Sequence, residues 1–200
     1  MMIGRLPVKE QLELFRATLS HNEVLIEVLH RTAVLDLPGW YLTAGCLFQT
    51  IWNARTDRPP THGINDYDLF YFDDFDLSWA AEDKIIQTAQ PLFGDVPSTV
   101  EIRNEARVHL WYEHHFGVTC PPYPSTEAAI DSFAATTCSL GVRLQLEDRC
   151  RIYAPHGFSD VFNLVVRPNP VLAPHHVYET KTHRCTGPKL TVLPWPDTSR

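Results

Sequence analysis

Apolar residues recur at helical spacing at Val8, Leu12, Phe15 and Leu19, which predicts an opening helix. Ser20-His21-Asn22-Glu23 has the form of a capping box and starts a second helix that carries Val24, Leu25, Val28 and Leu29 inward. Asp36-Leu37-Pro38-Gly39 breaks the pair, and Trp40 to Ala44 reads as a short strand ending at Gly45. Leu47, Phe48, Ile51 and Trp52 then mark one face of a helix, so this stretch is strand, glycine turn, helix. Residues 55–65 are loop, and aromatic-rich Asn65 to Phe72 is a strand closed by an acidic turn at Asp73-Asp74-Phe75-Asp76. Ser78 caps a helix to about Ala89, and a strand follows at Thr99 to Arg103. Further on, the pattern predicts a helix from Glu105 to Phe116 stopped by Gly117, and a short helix from Ser125 to Phe133. A hairpin joins Val142, Leu144 and Leu146 to Arg151–Ala154 through Glu147-Asp148-Arg149. Beyond Arg167 prolines dominate, and this end is expected to wrap the domain; neither an internal repeat nor a low-complexity segment is present.

The alternation of β and α signals over 200 residues fits one α+β domain: a mixed, twisted sheet of about five strands flanked by helices. Its expected parts are a helical N-terminal part over 1–35, a core over 36–155 and a proline-rich wrap over 156–200. At 44% hydrophobic and 20% charged residues the composition is that of a chain able to bury a core, which excludes collagen-like, coiled-coil and wholly disordered readings. The formal charge of -7 argues against a protein that holds a polyanion by charge alone. No run reaches the ~18 apolar residues of a membrane span, and the first ten residues lack the apolar stretch of a signal peptide, so a soluble, cytoplasmic chain without a membrane partner is expected. Five scattered cysteines without a C-x-x-C pair, and ten histidines without a ligand motif, predict free thiols and no zinc.

Asp66 and Asp68 stand one residue apart on a predicted strand and therefore project on the same side. Two such anions repel each other unless a positive charge lies between them, and a divalent cation with oxygen ligands is the usual solution. About twenty residues earlier, Ala44-Gly45-Cys46 ends a strand and opens a helix, whose free N–H groups are suited to phosphate. Glu101 lies between Val100 and Ile102, where a carboxylate needs either a use or a partner, and Arg103 or Arg107 offers the partner. Trp79, Trp111 and Tyr112 are read as core, and the Asp73, Asp74 and Asp76 run as a solvated loop.

These residues resemble the nucleotidyltransferase superfamily with the DNA polymerase β-like palm. Its pattern is a hydrophobic residue, Gly, then Gly or Ser, followed by Asp-x-Asp and by a third acid on a neighbouring strand. More closely, Ala44-Gly45-Cys46-Leu47-Phe48-Gln49, Ile64-Asn65-Asp66-Tyr67-Asp68, Asp76-Leu77-Ser78-Trp79, Arg103 to Tyr112, Tyr153-Ala154-Pro155 and Arg167-Pro168-Asn169-Pro170 are similar to a small bacterial branch of that superfamily. The resemblance covers about Leu6 to Pro196.

It implies a metal-dependent transfer of a nucleoside monophosphate from an NTP to a hydroxyl acceptor by a two-metal mechanism. Asp66, Asp68 and Glu101 would hold Mg²⁺ or Mn²⁺. Gly45 and Cys46 would contact the phosphates, and Arg103, Arg107 or Arg143 would neutralise the triphosphate. A small molecule, an RNA end or a protein side chain is the implied acceptor. Cys46 stands where the superfamily has Gly or Ser, and two further readings attach to it: a fold of this family that binds without turnover, and a thiol enzyme activated at a helix N-terminus.

Overall fold

The computed structural model describes residues 3–145, 149–184 and 190–196. A five-stranded mixed sheet organises it. The strands are β1 (Tyr41–Thr43), β2 (Asp66–Tyr71), β3 (Thr99–Asn104), β4 (Gly141–Leu144) and β5 (Cys150–Tyr153), in the order β3-β2-β1-β4-β5. The pair β2 and β3 is parallel, and the other neighbours are antiparallel. The predicted hairpin is present in β4 and β5, although Leu146, Glu147 and Asp148 lie outside the described residues.

Alternation along the strands divides the sheet into an apolar face and a mixed one. Leu42, Tyr67, Leu69, Ile102 and Val142 are buried in the main core with helices α1 (Val8–Leu19), α2 (Glu23–Val34) and α3 (Gly45–Arg55). Phe15, Leu25, Val28, Leu47 and Ile51, all fully buried, are the helical side of that core. Helix α4 (Trp79–Ala89) joins β2 to β3; Ser78 caps it by accepting from Ala81 N–H at 3.2 Å, as the sequence predicts.

The opposite face of β2 presents Asp66, Asp68 and Phe70. Helix α6 (Thr126–Asp131) packs near it across β4, where the approach is so close that only glycine fits. A Cβ on Gly141 would meet Ile130 Cδ1 at 2.8 Å and Tyr41 Cδ1 at 2.9 Å. Phe133, just past α6, meets Phe70 edge-on with ring centroids 5.9 Å apart.

Three expectations are revised. The cap of α2 is Asn22, whose side chain accepts from Leu25 N–H at 3.1 Å, whereas Ser20 is spent at the end of α1, donating its hydroxyl to Ala17 C=O at 2.8 Å. The single helix expected from Glu105 to Phe116 is instead a 3-10 helix, Glu105–Leu110, followed after a break at Trp111 by α5 (Tyr112–Phe116). Ties at its first turn, the Asn104 side chain capping Ala106 N–H and Arg107 bound to Glu82, hold that segment in the tighter form, while Gly117 ends α5 in the left-handed conformation as expected.

The proline-rich end carries more structure than a wrap. It holds α7 (Ser159–Phe162), β6 (Val165–Val166), α8 (His175–Arg184) and β7 (Thr191–Val192), with β6 and β7 paired in parallel. Among the described residues no helix is long and apolar enough to cross a membrane.

Candidate active site

The register of β2 against β3 sets Asp68 opposite Glu101 and Asp66 opposite Thr99, so Asp66, Asp68 and Glu101 rise from the same face of adjacent strands. Burial is the largest influence on Asp68, and the Asp66 carboxylate adds to it. Together they push the Asp68 carboxyl up to about 6, with Glu101 contributing in the same direction and Lys181 and Arg103 opposing. An accumulation of hard oxygen donors with incomplete charge compensation suits a divalent cation such as Mg²⁺ or Mn²⁺. Glu101 leans toward Arg103, at 3.6 Å, the pairing with Arg103 that the sequence offered. Among the described residues no three His, Cys, Asp or Glu side chains converge as a finished cage, for zinc or any other ion.

The strand-to-helix turn at Ala44 delivers the N-terminus of α3 to these carboxylates. Ala44 has φ 48° and ψ -103°, a conformation that costs a residue with a Cβ about 1–3 kcal/mol. The next residue lies close to the first aspartate, since a Cβ on Gly45 would stand 3.8 Å from Asp66 Oδ1, an ordinary contact. The first N–H groups of an α-helix have no partner within it, and here they lie beside the acidic face.

Cys46 is buried, and its Sγ sits 3.6 Å from Thr43 C=O. Burial raises this thiol well above its ordinary value, and Asp68 and Asp66 raise it further. That environment works against the thiol-enzyme reading, since desolvation and two adjacent carboxylates favour the neutral thiol over the thiolate. Of the other cysteines, Cys120, Cys138 and Cys150 form no disulfide, and Cys185 lies outside the described residues.

Two compartments meet at Asp68. One, of about 570 Å³, is bordered by Ala44, Cys138, Thr180 and Lys181. The other, of about 730 Å³, extends past Glu101 and Arg103 to Glu105, Trp79 and Trp111. Lys181, on α8, lines the first; its charge favours the ionised form of Asp68, and its ammonium lies 5.4 Å from the centre of the Phe48 ring. Sequence reasoning missed this residue because the proline-rich end was read as a wrap. The signal was present, since Pro174 precedes ten residues free of Pro and Gly, as a helix start does.

The arginines named from the sequence part company. Arg103 lies with Glu101. Arg107 is committed elsewhere: its guanidinium donates to Glu82 and, at 2.9 Å, to Leu77 C=O, and it stacks 5.5 Å over Trp79. Arg143 lies 5.0 Å over the Tyr41 ring. Trp79 and Trp111 were expected in the core. They are 58% and 43% exposed and line the larger compartment. Glu105 was also missed. It is 5% exposed, and burial first, then Asp68, raise its carboxyl to about 8, with Arg103 opposing.

The model of a nucleotidyltransferase family matches residues 30–192. A search of curated proteins returns no match. Among solved structures, an NMR structure described as revealing a CCA-adding enzyme head domain superposes with a TM-score of 0.70. The two share 22% identity, and the alignment covers 96% of this chain and 98% of that one. At that identity the likeness carries the fold: a polymerase β-like nucleotidyltransferase head.

Proposed function

Since the chain belongs to this nucleotidyltransferase family, we propose that it transfers a nucleoside monophosphate from an NTP to a hydroxyl acceptor at the Asp66, Asp68 and Glu101 face. The single observation carrying this reading is the register that brings three carboxylates together beside the N-terminus of α3. Asp66, Asp68 and Glu101 would hold two Mg²⁺ or Mn²⁺ ions, which supply charge neutralisation of the triphosphate and a lowered pKa for the acceptor hydroxyl. The compartment holding Ala44 and Lys181 would take the triphosphate: the main-chain N–H groups of Gly45 and Cys46, which follow Ala44 at the start of α3, would serve its oxygens, and Lys181 would supply positive charge. The acceptor approaches from the Glu101 side. Its oxygen bonds to the α-phosphorus, the bond from that phosphorus to the bridging oxygen breaks, and pyrophosphate leaves, while the hydroxyl proton passes to Glu101 or to water. Arg103, 3.6 Å from Glu101, lines the larger compartment on the acceptor side.

Thermal unfolding with each NTP, with and without Mg²⁺ or Mn²⁺, tests the reading. At about one hundred times its dissociation constant a ligand adds about 2.7 kcal/mol, which raises Tm by about 5–10 °C in a chain of this length. A metal-dependent rise with an NTP that is lost in Asp68→Asn is expected. A rise that survives in Asp68→Asn favours a family member that binds nucleotide without turnover, and no rise at millimolar NTP removes the proposal.

A further inference from the structure

We propose that the compartment beyond Glu101 is the acceptor site, and that it takes a flat, largely apolar compound which is not an anion and which brings an N–H or O–H donor to the Glu105 carboxyl. Its role as acceptor site rests on the nucleotidyl-transfer reading; its ligand chemistry rests on the cavity alone.

The walls are aromatic. Phe70, Trp79, Trp111, Tyr112, Phe116 and Tyr123 line a cavity of about 730 Å³, ample for a small ring compound. Trp111 and the neighbouring Tyr112, His115 and Phe116 hold one another at ring distances of 4.6–6.2 Å, so the wall is a preformed face on which a ring can stack.

Most of the polar groups in the wall are already used. Glu82 accepts from Asn104 N–H at 2.8 Å and from Arg107. Asn104 accepts from Asp73 N–H and Ala106 N–H and donates to Asp73 C=O. Tyr123 and Ser132 share a hydrogen bond of 2.6 Å, and Arg103 is paired with Glu101.

Glu105 is different. Its side chain is more than nine-tenths buried, it lines this cavity, and among the described residues its carboxyl has neither hydrogen bond nor ion pair. A carboxyl in so buried a setting favours a hydrogen-bonding partner, and a ligand donor that reaches it from the cavity supplies one.

An ionised carboxyl only accepts and a neutral one both accepts and donates, so a donor on the ligand is matched in either state. Anions are disfavoured, because Asp68 adds negative charge to this wall while Arg103 and Arg107 already face Glu101 and Glu82. A nucleic-acid end with its phosphates fits this wall poorly.

The test needs neither metal nor nucleotide. The protein is titrated with 2-phenylethylamine, 2-phenylethanol and phenylacetate, which share a ring and differ in the terminal group, while NMR follows the indole N–H signals of Trp79 and Trp111. Fragments of this size bind with Kd of about 1 mM. The amine and the alcohol are expected to move both signals, and phenylacetate to bind at least about tenfold more weakly.

Glu105→Leu removes the acceptor and keeps the wall apolar, a change that a buried site tolerates. In that variant the amine and alcohol should weaken about tenfold and the discrimination against phenylacetate should vanish. Glu105→Gln should recover the alcohol. The proposal is overturned if phenylacetate binds as well as the amine, if Glu105→Leu leaves the order unchanged, or if the Trp79 and Trp111 signals stay still. A failed fragment order beside an intact metal-dependent NTP shift removes the acceptor assignment alone.

Discussion

At Asp68, burial and the Asp66 charge act on one carboxylate, and both favour its neutral form. Its folded pKa of about 6 stands above the ordinary 3.8, so the folded, metal-free protein holds this proton more tightly than the unfolded chain does. The resulting stability is fully present below about pH 4 and is lost as pH rises through about 6, an effect of about 3 kcal/mol at most. Asp68→Asn removes that dependence. Denaturant unfolding of both proteins without metal, between pH 4 and pH 7, should show the wild type falling relative to the variant as pH rises; parallel curves would refute the account of Asp68. A second prediction concerns Cys46, whose buried thiol is raised by the same two carboxylates. Iodoacetamide at neutral pH should leave Cys46 unmodified in the native protein and label it after unfolding, and mass spectrometry of the peptides distinguishes the two. Rapid native labelling at Cys46 would bring back the thiol-enzyme reading.

Among the elements, the hydrophobic periods were enough to place the early helices, the five strands and the Gly117 stop, because each stands on a local pattern and a local terminator. The shared side of Asp66 and Asp68 was legible for the same reason, strand alternation; Glu101 was joined to them through the family resemblance, and the parallel pairing that sets it beside Asp68 is seen only in the structure. Features fixed by distant contacts were not legible. Nothing in the Ser20 to Glu23 segment shows that Asn22 Nδ2 donates to Thr50 Oγ1 at 2.8 Å, a bond made 28 residues away that draws the cap to Asn22. Arg107 looks like a phosphate ligand until Glu82, from α4, is seen to hold it, and Trp79 looks like core until the helix it starts is seen to stand at a cleft. Asn22→Ala removes a cap and leaves Thr50 without that donor, and should cost about 1–3 kcal/mol. Ser20→Ala, on an exposed hydroxyl at the end of α1, should cost less than about 0.5 kcal/mol. Chemical denaturation of the two variants checks the contrast; equal losses would return the cap to Ser20.

On the scale of the molecule, the sheet divides two kinds of work. Its apolar face, packed on α1, α2 and α3, fixes strand register, and that register aligns the carboxylates on the other face. The cleft above them offers a cationic, helix-ended compartment on one side of Asp68 and an aromatic, carboxyl-lined one on the other, an asymmetry expected of a site that brings a triphosphate and a hydroxyl compound together. The central claim is that this carboxylate face is a metal site that serves a nucleotide. Mn²⁺ binding to the purified protein, followed by the loss of the free-ion electron paramagnetic resonance signal with and without NTP, tests it most directly. The account predicts that Mn²⁺ is bound, that NTP tightens the binding, and that Asp68→Asn weakens it by at least about tenfold. Mn²⁺ and NTP binding that are equal in the wild type and in Asp68→Asn would contradict it.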